Sequence, residues 1–213
     1  MAKDFEVITY NPTQCKKELR AFGKLLKTNP ELSERGDISP FFKTSKQLSA
    51  FIGTYAPDIG PASELTYEFS FLGDFAADLV VGSRNKKRYL VVEFEDGGKN
   101  SIFKEVKGRA TTDWSSRFEH GYSQLIDWFC ILDDYKKTDK FKNQFGGGYI
   151  TFSGLLIVGR NSGVSESDRV RLHWRMDKVL VDSHTIKCIT YDDLHEQLEA
   201  RLAFYPAASK VGK

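Results

Sequence analysis

The chain has 213 residues, 40% hydrophobic and 13% aromatic, enough for one sizeable core with at most a small appendage. Charged residues make up 28%, yet the net charge is only +2. That balance excludes a globally basic histone-like or polybasic membrane-binding protein and confines nucleic-acid contact to local patches. No signal-peptide pattern is present, and no run reaches the roughly 18 apolar residues of a membrane span, so a cytoplasmic protein without a membrane partner is expected. Cys15, Cys130 and Cys188 are widely spaced with no Cys-x-x-Cys pair, which argues against a disulfide framework or a zinc site. His120, His173, His184 and His195 lack ligand spacing and read as structural or exposed.

Residues Gln14 to Leu26 form an amphipathic pattern, with Leu19, Phe22, Leu25 and Leu26 opposite Lys16, Lys17, Lys24 and Lys27. Ser45 to Tyr55 reads as a second helix, closed by the breaker-rich stretch from Pro57 to Pro61. Together they define an N-terminal helical lobe over 1–62, suited to capping a sheet or facing a partner. Leu65, Tyr67, Phe69 and Phe71 then alternate with polar residues, a strand signal that includes Glu68.

Two further strands follow, Ala77 to Val81 and Tyr89 to Glu95, joined through Gly82 to Arg88. The spacing predicts an antiparallel pair that brings Asp78 across from Glu93. Side chains alternate along a strand, so Glu93 and Glu95 share a face with Tyr89 and Val91, while Leu90, Val92 and Phe94 point the other way. Acids are disfavoured in apolar strands, and an unpaired buried carboxylate is costly. A hard divalent cation offsets that cost, and a sparse acid set suits Mg2+, with Mn2+ as a substitute, better than a full Ca2+ cage. Arg84, Lys86, Lys87 and Arg88 in the turn read as a solvated face; Lys99, Lys104 and Lys107 after the acidic strand are candidates for holding phosphates.

From Ser116, Phe118, Tyr122, Leu125, Phe129 and Leu132 form one helical stripe for packing on a sheet, with Gln124 and Trp128 beside it. Lys136 to Gly148 reads as a charged, mobile connector hinged on Gly146, Gly147 and Gly148. Tyr149 to Val158 is a strand apolar enough to be buried on both faces, hence parallel and reached by a crossover. Ser165 to Val181 is predicted as a helix opened by a capping-box-like Ser165 and Asp168. Ile186 to Thr190 is a short strand, and Tyr191 to Leu202 a closing helix. The core is predicted over 63–205, with a basic, flexible tail over 206–213.

Strand, Asp-bearing strand, Glu-x-Glu strand, helix, strand is the order of the PD-(D/E)xK nuclease superfamily core, which this chain resembles. More narrowly, Ala77 to Val81, Leu90 to Glu95, Gln124 to Trp128, Leu155 to Arg160 and Ile189 to Leu194 resemble the nuclease domain of the Shedu anti-phage defence family. The resemblance covers roughly Glu64 to Leu202. It implies an α/β, restriction-endonuclease-like fold: a mixed sheet flanked by helices. It further implies a Mg2+-dependent endodeoxyribonuclease with Asp78 and Glu93 as metal ligands and Gln124 on the helix behind them.

The departure is Glu95, where the superfamily usually has lysine. Glutamate there can bind metal or accept a proton from water, and the superfamily includes restriction enzymes with this Glu-x-Glu variant. Glu68 is an outer candidate. If a cation is still needed, the sequence does not choose among Lys99, Lys104 and Lys107. The expected partner is DNA, and cutting two strands from a small domain implies a homo-oligomer; a sensor or phage-derived activator is the expected trigger. The short lobe departs from Shedu proteins with large sensor domains. Two other classes stand beside this reading. A catalytically inactive nuclease fold acting as a nucleic-acid-binding or regulatory module is favoured by the missing lysine. A glycosidase with paired carboxylates gains no help from the strand order.

Overall fold

The structure, a computed structural model, describes residues 4–56, 58–71, 76–181 and 183–205. In chain order it contains β1 (Glu6–Val7), α1 (Pro12–Thr28), a π-helical turn (Glu34–Ile38), α2 (Ser39–Thr44), α3 (Lys46–Ile52) and a 3-10 turn (Gly53–Tyr55). The strands β2 (Glu64–Ser70), β3 (Ala76–Ser83) and β4 (Arg88–Phe94) follow, then the short ribbon β5 (Phe103–Lys104) and β6 (Asp113–Trp114). After these come α4 (Ser116–Tyr135), α5 (Asp139–Phe145), β7 (Thr151–Ile157), α6 (Glu166–Lys178), β8 (Leu180–Val181), β9 (His184–Ile189) and α7 (Tyr191–Phe204).

Seven strands form one mixed sheet in the order β1-β2-β3-β4-β7-β9-β8. The first four are antiparallel neighbours, and β4, β7 and β9 run parallel. Parallel pairing requires a crossover, and α4 with α5 supplies the one between β4 and β7. The fold is thus the predicted α/β class, with helices on both faces.

The alternation along β4 decides which helices lie where. Leu90, Val92 and Phe94 join Leu19, Phe22, Phe42, Phe51, Leu194 and Leu198 in one core. Tyr89 and Val91 join Phe118, Tyr122, Leu125, Trp128 and Phe129 in the other. The N-terminal helices therefore share a core with the sheet and with α7, and β1, within the segment expected to be purely helical, pairs with β2.

Helix starts follow side-chain caps: Asn11 accepts from the Gln14 N–H at 3.1 Å, Ser115 from Phe118 at 3.0 Å, and Thr190 from Asp193 at 3.0 Å. Ser165 caps α6 as its spacing predicts, accepting from the Asp168 N–H at 3.2 Å and donating to the Asp168 carboxylate at 2.7 Å.

Two expectations are corrected. The connector over 136–148 contains α5, capped by Thr138, buried through Phe141 and Phe145, and closed by Gly146 in the left-handed region at φ 76°. The helix expected to reach Val181 ends at Lys178, because Leu180 and Val181 pair antiparallel with Thr185 and His184. The tail over 206–213 lies outside the described residues.

Arg160 gives the family-like segments ending β7 and opening α7 their physical link. Its guanidinium grips Asp192 through Nε at 3.0 Å and a terminal nitrogen at 2.9 Å, and donates to the carbonyls of Leu26 at 3.0 Å and Asn29 at 2.9 Å. Those carbonyls belong to the unsatisfied C-terminal end of α1. Arg160→Ala should therefore lower stability by about 3 kcal/mol, the scale for breaking a largely buried pair. Arg160→Lys should recover only part, since lysine lacks the fork. Urea unfolding reads this directly; a change below about 0.5 kcal/mol, the range of ordinary surface substitutions, would contradict it.

Candidate active site

The β3–β4 register pairs Leu79 with Val92 and Val80 with Val91, so its continuation sets Asp78 opposite Glu93. On the other side, β2–β3 pairs Tyr67 with Leu79 and Phe69 with Ala77, which sets Glu68 opposite Asp78. Glu68 itself sits at φ 51°, an uncommon conformation for a non-glycine residue. Three acids thus form a row across three adjacent strands.

The Asp78 and Glu93 side chains lie close enough that each affects the protonation of the other. Asp78 also accepts from the Phe94 N–H at 2.8 Å. Burial pushes the Asp78 carboxyl up to about 6, against the lowering effect of that N–H. Burial also holds Glu93 well above the usual carboxylate range, reinforced by the neighbouring Asp78. Glu93 is only 5% exposed, and among the described residues its Oε2 has no hydrogen-bond partner.

Glu95 occupies the same face two residues on, but its environment differs. Its side chain is 1% exposed; Oε1 lies 2.9 Å from His120 Nδ1 and Oε2 lies 3.3 Å from a terminal nitrogen of Arg117. Burial raises its pKa, and His120 and Arg117 oppose the shift. Arg117 also bonds Asp96 at 2.8 Å and approaches Glu34 of the π-helical turn at 3.9 Å. Below Glu95, the buried Tyr191 hydroxyl donates to the Glu95 carbonyl at 2.6 Å. The strand is thereby anchored on both sides of this residue.

Helix α4 approaches closely because Gly121 faces Glu95. A Cβ at Gly121 would lie 2.8 Å from Glu95 Cγ and 2.7 Å from Leu156 Cδ1. Gly121→Ala should cost about 1–3 kcal/mol, the range for overpacking, and should push Glu95 away from His120. Thermal melting and the His120 imidazole NMR signals check both effects; an unchanged melting temperature with unchanged signals would contradict the packing.

Gln124 follows His120 by one helical turn, and among the described residues its buried Oε1 has no partner. It is therefore not in bulk solvent, and it sits on the face that carries Arg117, His120 and Gly121. Arg117, His120, Gly121 and Gln124 fall at helical spacing on one stripe, a signal available in the sequence but hidden by the assignment of His120 as structural or exposed. Glu34 and Lys43 come from the N-terminal segment, and no local pattern marks them.

Lys99 lines a groove of about 650 Å3 with Phe103, Arg109 and Arg171, between the β5–β6 ribbon and the start of α6. Lys104 and Lys107 are exposed on the ribbon. The lysine that acts on Asp78 is Lys43, which favours its charged form and bonds Glu68 at 2.5 Å.

Among the described residues, no three His, Cys, Asp or Glu side chains form a ready-made metal cage. The donor set is instead two opposed carboxylates with one unpartnered buried oxygen. That fits Mg2+, which binds through one or two carboxylates plus waters and substrate phosphate oxygens.

An Asp and a Glu on adjacent antiparallel strands, a helix behind them and a crossover into a parallel strand define a nuclease-like α/β core. The chain belongs to the Shedu family: the family model described as Shedu protein SduA, C-terminal, matches residues 17–195. The match begins within α1, so the N-terminal helices are part of the family region. No curated protein matches the chain. Membership points to anti-phage defence. Among the described residues no helix is long and apolar enough to cross a membrane.

Proposed function

We propose that this chain is a divalent-metal-dependent endodeoxyribonuclease of anti-phage defence, with Mg2+, or Mn2+ in its place, held by Asp78 and Glu93. The observation that carries this reading is the buried Asp78–Glu93 pair, in which Glu93 Oε2 has no partner among the described residues. A buried carboxylate in that state is costly until a cation meets it. When bound, the cation supplies an acidified water and neutralises charge on the phosphate. Asp78 and Glu93 hold it from neighbouring strands. Gln124, with its unpartnered oxygen, orients water or contacts the substrate backbone. Lys43 supplies positive charge beside Asp78.

Glu95 stands apart from direct ligation, because protein groups engage both of its oxygens. DNA is the partner, with Lys99 placed to hold phosphates through salt-sensitive contacts in a groove it lines with Arg109 and Arg171, which pair with Asp113 and Asp168. Self-association would bring a second centre to the opposite strand, and a sensor or phage-derived activator would trigger it in a cytoplasmic setting.

Purified protein with supercoiled, linear and single-stranded DNA should nick or linearise substrate in Mg2+ or Mn2+ and leave it intact in EDTA. A second reading rests on the glutamate at position 95, ion-paired to Arg117 where the superfamily usually has lysine. It makes the chain a catalytically inactive nucleic-acid-binding or regulatory module. DNA retained in a gel shift but never cut with any metal would favour that reading and overturn the first.

A further inference from the structure

We infer that His120 is the general base of the reaction, held in its working tautomer by Glu95; this deepens the nuclease reading and rests on it. The geometry is that of a carboxylate–imidazole dyad. Glu95 is buried at 1% exposure, whereas the His120 side chain is 64% exposed, and the two meet through Nδ1 at 2.9 Å. A carboxylate accepting from Nδ1–H leaves Nε2 with its lone pair. Among the described residues Nε2 has no protein partner.

The support is asymmetric in a way that a surface ion pair does not require. Gly121 admits Glu95 against the helix, Arg117 secures its second oxygen, and the Tyr191 hydroxyl fixes its backbone carbonyl. Three contacts therefore hold one glutamate that presents one exposed imidazole. The charged groups around the dyad are Arg117 on the same helix, Glu95 and Asp96 beyond β4, and Glu34 from the π-helical turn. Gly121, next to His120, packs against both Glu95 and Leu156, and Leu156 is the register partner of Glu93, so the dyad borders the proposed centre.

In the step, a water oxygen attacks phosphorus and its proton passes to His120 Nε2. The bond from phosphorus to the departing ester oxygen breaks with its electron pair on that oxygen, which takes a proton from solvent. The imidazolium then returns its proton to solvent. The place usually held by a lysine is thus occupied by a residue that positions a base on the facing helix.

The test compares wild type, His120→Ala, His120→Gln and Glu95→Gln on plasmid DNA in Mg2+. His120→Ala should lose about 10²–10⁴-fold in kcat, the range for general-base removal, with KM unchanged. Added imidazole should restore activity to His120→Ala and not to His120→Gln. In long-range 1H–15N NMR without metal, His120 should be the Nδ1–H tautomer in wild type and lose that preference in Glu95→Gln. Full activity of a folded His120→Ala, a loss confined to KM, failure of imidazole rescue, or an Nε2–H tautomer in wild type would each overturn the assignment. A wild type that cuts no substrate overturns the nuclease reading and this assignment together; a wild type that cuts alongside an equally active His120→Ala overturns only the latter.

Discussion

Glu93→Gln should reduce cleavage by at least about a thousandfold, the upper scale for losing one element of preorganised charge stabilisation, and Asp78→Asn should do the same. Both replacements keep side-chain size and remove the charge that holds the cation. They should also leave the fold intact, because the folded protein already disfavours the charge at these positions: Glu93 is pushed well above the usual carboxylate range and Asp78 up to about 6. The combination is diagnostic, since a mutation acting through misfolding would lower activity and stability together. Plasmid digestion in Mg2+ beside a thermal melt in EDTA reads both quantities. Cleavage within tenfold of wild type by either variant would remove the pair from the centre.

The metal-free protein should lose stability as pH rises from about 5 to 8, opposite to the behaviour of a carboxylate in a salt bridge. Asp78 and Glu93 both have folded pKa values above their unfolded ones, so the folded chain binds more protons than the unfolded chain over this range. Stability then falls with pH. The contribution is fully present below about pH 4, the ordinary carboxylate value, and is lost through about 6 for Asp78 and higher for Glu93. A bound divalent cation inverts this preference by favouring the ionised pair. Mg2+ should therefore raise the melting temperature at pH 8 and have little effect at pH 5, and Glu93→Gln should flatten both dependences. A melting temperature independent of pH and of Mg2+ would contradict the buried pair.

The strand pattern made much of this arrangement legible. The alternation in β4 separates Glu93 and Glu95 from Leu90, Val92 and Phe94, and the two cores divide along that line. A stripe of apolar residues placed α4 on the sheet, which in turn fixed the side on which Gln124 lies. One local error, the missed α5, had available signals: Thr138 and Gly146 bracket the helix as caps, and Phe141 and Phe145 are one turn apart. Long-range placement was not available in the same way. Nothing in the residues around Glu34 or Lys43 indicates that the chain folds back, 25 positions on for Lys43 and about 60 for Glu34, to set them near Glu68 and the Glu95–Arg117 pair. The role of Glu95 was hidden for a related reason, because its partners Arg117 and His120 lie across a loop and a ribbon of irregular sequence. Of the lysines nearest in sequence, Lys99 lines the groove beside that ribbon, and Lys104 and Lys107 are exposed.

The central claim is that Asp78 and Glu93 share one divalent cation, and an anomalous difference map from crystals soaked in Mn2+ tests it most directly. The account predicts one peak between the two side chains, about 2.1 Å from an oxygen of each, absent from Glu93→Gln crystals. A peak held by Glu95 and Asp96 instead, or no peak at Mn2+ concentrations that support cleavage, would contradict it.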